Sequence, residues 1–173
     1  MTGMRLGSLA FASMVLVAGC TPLSGTTPSP SAPSTAPSTL GKTESRIFDL
    51  VNAQRRRQGL PSLVYNPQLD RMAKIQAQNM ARFQKMAHVI RESSLPTLSD
   101  RARNSGYPYA RLAENVALGY PNAETVVEGW MASKGHRANI LQRDAEETGI
   151  AIARFSAGGI YYCQVFGRRM LSL

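Results

Sequence analysis

The chain has 173 residues, 20 Lys and Arg against 11 Asp and Glu, and a formal charge of +9, which leaves room for one ordinary domain and favours anionic partners. Two cysteines are too few for a disulfide framework. The two ends of the chain differ from its middle in composition, so one core is expected between them.

Residues 1–19 open with the basic Arg5 and continue as an uncharged stretch from Leu6 to Gly19, rich in Leu, Ala, Val and Met. This is the pattern of a signal peptide. The stretch stops at Gly19-Cys20, short of the about 20 apolar residues that a membrane-spanning helix needs. Leu16-Val17-Ala18-Gly19-Cys20 resembles the bacterial lipobox, and the resemblance implies that Cys20 is acylated and tethers an envelope lipoprotein to a membrane. Each buried methylene contributes about 0.8 kcal/mol, so several acyl chains on one cysteine anchor firmly. An acylated Cys20 cannot join a disulfide, and Cys163, within the apolar run Tyr161-Tyr162-Cys163-Gln164-Val165-Phe166, reads as a small buried hydrophobe and not as a nucleophile.

From Thr21 to Lys42, 15 of 22 residues are Ser, Thr or Pro. Such a segment forms no core; together with Cys20 it reads as a flexible stalk (20–42) with a reach on the order of 60 to 70 Å at about 3.1 Å per residue. The remaining 131 residues, 43–173, form one compositional unit.

Within that unit Thr43 is expected to cap a first helix with Ile47, Leu50 and Val51 at helical spacing, stopped by Gly59-Leu60-Pro61. Arg55-Arg56-Arg57 lies near its end and reads as a solvated face. Asn66-Pro67 opens a second helix, and Leu69, Met72, Ala73, Gln76, Met80 and Phe83 line its inner face. Thr97-Leu98-Ser99-Asp100 has the form of a capping box and starts a short third helix that ends at Gly106. A fourth follows Pro121-Asn122 with Val126, Val127 and Trp130 on one side, and His136 is placed at a helix end. The period then changes: Ile150 and Ile152 alternate with Ala151 and Ala153, Ser156-Ala157-Gly158-Gly159 makes a turn, and Ile160 to Phe166 favours a strand. Helices followed by an antiparallel hairpin predict an α+β layered domain.

Four stretches in chain order carry a more specific signal. They are Val51-Asn52-Ala53-Gln54-Arg55 through Asn66-Pro67-Gln68-Leu69 and Met80-Ala81, then His88, then Ala113-Glu114-Asn115-Val116-Ala117, and finally Trp130 to Leu141 with Tyr162-Cys163-Gln164-Val165-Phe166-Gly167 behind it. In order and spacing they resemble the CAP superfamily of cysteine-rich secretory, antigen 5 and pathogenesis-related 1 proteins. The resemblance implies an α-β-α sandwich with a small antiparallel sheet between helices. It also implies a surface groove with two His and two Glu, sometimes holding a divalent metal. His88, Glu114 and His136 match three of those positions; the fourth, where animal members often carry Glu, is Ser133, and Glu128 is a nearby acid on the same helix.

Two His and one Glu with an open position is a ligand set that suits zinc or another divalent cation. His-Glu-x-x-His is absent, so the ligands have to converge from separate segments. No Gly-x-Ser-x-Gly elbow or cysteine-histidine pattern supports covalent catalysis. The resemblance, more than the residues themselves, implies the leading expectation: a monomeric, non-catalytic binding module for a lipid or an anionic envelope polymer, with no nucleic-acid partner. An acid/base or metal-assisted hydrolase is the second reading, using His88, His136 and Glu114, and a protein-interaction module acting through its basic face is the third.

Overall fold

The computed structural model describes residues 40–155 and 159–170. The lipobox, Cys20 and nearly all of the stalk fall outside them, as does most of the turn at Ser156-Ala157-Gly158. Lys42 is the first residue of α1 (Lys42–Arg57). There follow β1 (Val64–Tyr65), α2 (Pro67–Phe83), α3 (Leu98–Ser105), β2 (Tyr109–Leu118), α4 (Ala123–Ala132), α5 (Lys134–Ile140), β3 (Glu147–Arg154) and β4 (Ile160–Arg169).

The strands run in the order β1-β3-β4-β2. The β3–β4 hairpin and the β2–β4 pair are antiparallel, whereas the two residues of β1 pair in parallel with β3, so the sheet is mixed and not wholly antiparallel. Side chains alternate across a strand, and each face of this sheet buries its own core. One contains Phe48, Val51, Val126, Val127, Trp130, Ile140, Tyr162 and Phe166 beneath α1, α4 and α5. The other contains Leu69, Met72, Met80, Ala102, Val116, Cys163 and Val165 beneath α2 and α3. The result is an α-β-α sandwich.

Local chemistry sets the helix ends. The Asn66 side chain accepts from the backbone N–H groups of Gln68 and Leu69, and Pro67 occupies the first turn, where its missing N–H is no loss. Thr97 and Asp100 form the reciprocal capping box, and α3 stops at Gly106, whose φ of 66° is left-handed. For α1 the outcome differs: Gly41, not Thr43, is the N-cap, and no side chain caps it. The α2 helix lies directly on β3, because a Cβ at Gly149 would overlap the backbone of Leu69 and Asp70.

Two expectations are corrected. Arg55 is not on a solvated face but is fully buried. It sits four residues after Val51 and seven after Phe48, on the apolar stripe of α1, so it turns inward while Arg56 and Arg57 stay exposed. Its guanidinium donates to the carbonyls of Pro61 (2.9 Å), Ile140 (2.8 Å), Gln142 (2.8 Å) and Ala145 (3.0 Å). Burial lowers its pKa from the ordinary arginine value. Those four bonds tie the end of α1 to the segment leaving α5. Secondly, the run from Ala123 is not one helix. Ser133 adopts an extended conformation (φ −83°, ψ 124°) that ends α4 and begins α5, which places His136 in the first turn of α5 instead of at a helix C-terminus.

Candidate functional site

The site is organised by β2, an edge strand of the sheet. Along it Leu112, Glu114 and Val116 face the α2/α3 layer, and Ala113, Asn115 and Ala117 face the α1/α4 layer. Two adjacent residues, Glu114 and Asn115, therefore send polar groups to opposite sides of one strand.

On the α2/α3 side the Glu114 side chain is 3% exposed. Its Oε1 lies 2.9 Å from His88 Nδ1, its Oε2 accepts from Arg101 Nη2 at 2.6 Å, and Cys163 Sγ lies 3.5 Å from the same oxygen. Arg101 comes from the first turn of α3 and is wholly buried. The loop that presents His88 is fixed from α2: the buried Gln76 donates from Nε2 to the carbonyl of Ala87 (2.5 Å), and Ile90 is buried just beyond. His88 itself keeps 56% of its side chain exposed. Its hydrogen bond to Glu114 raises its pKa above the ordinary histidine value of 6.5, against the opposing effect of burial.

On the other side Asn115 donates from Nδ2 to the carbonyl of His136 (3.1 Å) and accepts from Asn139 Nδ2 (2.9 Å). Asn139 Nδ2 also lies 3.3 Å from the Glu114 carbonyl, and Trp130 Nε1 donates to the Val116 carbonyl (3.3 Å). The Glu114 and Val116 carbonyls of this edge strand thus accept from side chains of α5 and α4. Trp130 is core, as expected, at 1% exposure. Burial lowers the pKa of His136, and the nearby His88 charge lowers it further. The two imidazoles lie close enough to interact electrostatically, yet they are driven in opposite directions.

Beside His136 opens a cleft of about 230 Å³, lined by Met86, Val116, Ala117, Leu118, Tyr120 and Trp130 among others. His88 and Glu114 do not line it, although Met86 and Val116, two residues from each in sequence, do. Ser133 does not line it either; it stands at the α4–α5 junction, and its side chain makes no cap bond. Glu128 is exposed on α4.

The zinc expectation does not fit this arrangement. Among the described residues no group of three or more His, Cys, Asp or Glu side chains is placed to hold a metal ion. Glu114, the one acid of the set, is already engaged on both oxygens, by His88 and by Arg101. Arg101 and the Cys163 contact are not among the residues singled out from the sequence, and Gln76 is read there only as part of the inner face of the second helix. Arg101 and Gln76 carry a recognisable signal, since each is a long polar side chain at an inward helical position.

The profile of the cysteine-rich secretory protein family, CAP, matches residues 48–166. The chain belongs to the CAP family. The uncharacterised protein YkwD of Bacillus subtilis (strain 168) is 32% identical over 133 residues, which cover 77% of this chain and 50% of YkwD. An extracellular SCP-domain protein of Bacillus anthracis str. Ames superposes with a TM-score of 0.65 at 28% identity, over 73% of this chain and 40% of that one. An outer surface protein of Borrelia burgdorferi gives a TM-score of 0.66 at 18% identity, over 72% of this chain and 90% of its own, and so shares the fold. The chain spans about half the length of YkwD. This CAP domain therefore carries the sandwich that its motifs implied.

Proposed function

We propose that this CAP domain is the ligand-binding head of an exported bacterial envelope lipoprotein, anchored through Cys20, and that its cleft takes one alkyl segment of an amphipathic ligand. The observation that carries this reading is the lining of the cleft: Met86, Val116, Ala117, Leu118, Tyr120 and Trp130 supply apolar walls, with His136 as a polar group. At about 230 Å³ the cleft is smaller than the roughly 300–1,000 Å³ of pockets that enclose drug-sized ligands. A chain segment fits that space better than a whole lipid does. Of the large hydrophobic side chains exposed among the described residues, Met86 (54%) and Leu118 (41%) belong to this cleft and Val89 follows His88 directly. A larger cleft of about 420 Å³ around Tyr107, Pro108, Tyr109 and Met170 contains none of the family's groove residues. Export is supported by the extracellular character stated for the Bacillus anthracis relative. Among the described residues no helix is long and apolar enough to cross a membrane.

The test is lipid uptake by the Cys20→Ser chain from vesicles across a broad lipid panel. Saturable uptake is expected, and no uptake from any lipid would refute the reading.

One observation favours a second reading, acid/base chemistry on an envelope polymer. His88 has Nδ1 held by a buried carboxylate and leaves Nε2 available on a half-exposed ring, the arrangement of an oriented general base. Cys163 cannot serve it as a nucleophile, because the thiol is fully buried and burial pushes its pKa well up. Polymer cleavage that disappears in His88→Ala would favour this reading over pure binding.

A further inference from the structure

We propose that Arg101 is the resident cation of the groove: a buried guanidinium that balances Glu114 from within the protein and makes the His88–Glu114 pair independent of any divalent metal. The inference goes beyond ligand binding in the neighbouring cleft and does not depend on it.

A carboxylate offers about four lone-pair positions. In Glu114 they meet His88 Nδ1, Arg101 Nη2 and the Cys163 thiol, and the side chain has almost no surface left for a newcomer. A zinc ion requires its carboxylate oxygen and imidazole nitrogen at about 2.0–2.2 Å. His88 Nδ1 and Glu114 Oε1 are instead 2.9 Å from one another, already joined by a hydrogen bond. Placing a metal between them means parting that pair and pulling the carboxylate away from Arg101.

Arg101 has no substitute partner. Among the described residues Glu114 is its one carboxylate; its other bond is a long one to the Pro96 carbonyl (3.4 Å), and its Nε is buried without a partner. Moving Glu114 towards a metal would strand a fully buried guanidinium, which is the costly way to break a buried ion pair. The Arg101 side chain is wholly buried, on a helix whose ends are set by the Thr97–Asp100 box and by Gly106. The fourth family position does not compensate either: Ser133 carries no charge, and the nearby acid Glu128 is exposed on α4. The site therefore contains its counter-charge as a side chain. Arg101 acts through Glu114 on His88, as a positioning residue.

The experiment adds Zn²⁺ alone to the full chain and follows the ring signals of its two histidines by NMR. Neither His88 nor His136 is expected to shift at equimolar Zn²⁺. The Arg101→Met variant, which keeps the volume and removes the charge, should gain at least about tenfold in Zn²⁺ affinity, equivalent to about 1.4 kcal/mol. Adding His88→Ala to it should abolish that gain, a response that a merely structural arginine would not produce. Stoichiometric Zn²⁺ binding by the parent chain, with both histidine signals moving together, would overturn the proposal. So would a folded Arg101→Met variant that binds Zn²⁺ no better than the parent. If Arg101→Met fails to fold, the parent titration still decides. A negative result in lipid uptake leaves these outcomes unchanged, so the two proposals fail separately.

Discussion

On one side of β2, Glu114 holds His88 through a buried ion pair with Arg101; on the other, Asn115 holds the backbone of His136 through neutral amide bonds. The two residues are neighbours in sequence, and the pleat of a strand separates them completely. The comparison teaches that one edge strand positions two histidines by different chemistry, while the charge of His88 still reaches His136. It also separates two roles: the Glu114 side fixes charge, and the Asn115 side fixes where α5 stands.

The largest expected difference is in stability. Glu114→Ala leaves Arg101 as an uncompensated buried cation and should cost about 3–5 kcal/mol. Asn115→Ala removes neutral hydrogen bonds and should cost about 1–3 kcal/mol. Urea unfolding of both variants checks the order, and equal losses would erase the distinction between the two sides.

A second prediction concerns pH. His88 is raised above 6.5 by Glu114, so the stability it contributes is fully present below 6.5 and is lost as pH rises through its higher folded value. His136 is lowered by burial and by His88, so its contribution is present above 6.5 and is lost as pH falls through its lower folded value. An NMR titration should therefore show the rings titrating on opposite sides of 6.5. Glu114→Gln should bring His88 down while moving His136 much less, and a common midpoint for both rings in the parent would contradict the comparison.

The smallest expected effect comes from Ser133. A serine in a cap position usually contributes about 1 kcal/mol, but this one makes no cap bond. Ser133→Ala should stay within about 0.5 kcal/mol in thermal unfolding. A larger loss would show that the α4–α5 break is braced by that hydroxyl.

Much of this frame was legible in the sequence, for identifiable reasons. Asn66, Thr97 and Asn122 cap helices through local bonds that need no partner elsewhere in the chain. The hairpin of β3 and β4 showed in the alternation around Ile150 and Ile152. What stayed hidden depended on distant contacts. The inward face of β2 reads Leu112, Glu114, Val116, and a carboxylate in an apolar position masked the strand. Its meaning rests on Arg101 and His88, 13 and 26 residues away. Arg55 was misread because a triple-arginine run looks solvated, although the spacing from Phe48 and Val51 placed the first of the three inward. The break at Ser133 carries no proline and no local signal strong enough to divide the helix.

The central claim, that the cleft beside His136 takes an alkyl segment, is tested most directly by charging its mouth. Met86→Asp and Leu118→Asp alter two exposed side chains, so folding should be unaffected. In the Cys20→Ser background each variant is expected to lose most of its lipid uptake in the vesicle assay while keeping the parent's melting temperature. Uptake at the parent level in both charged variants would contradict the account.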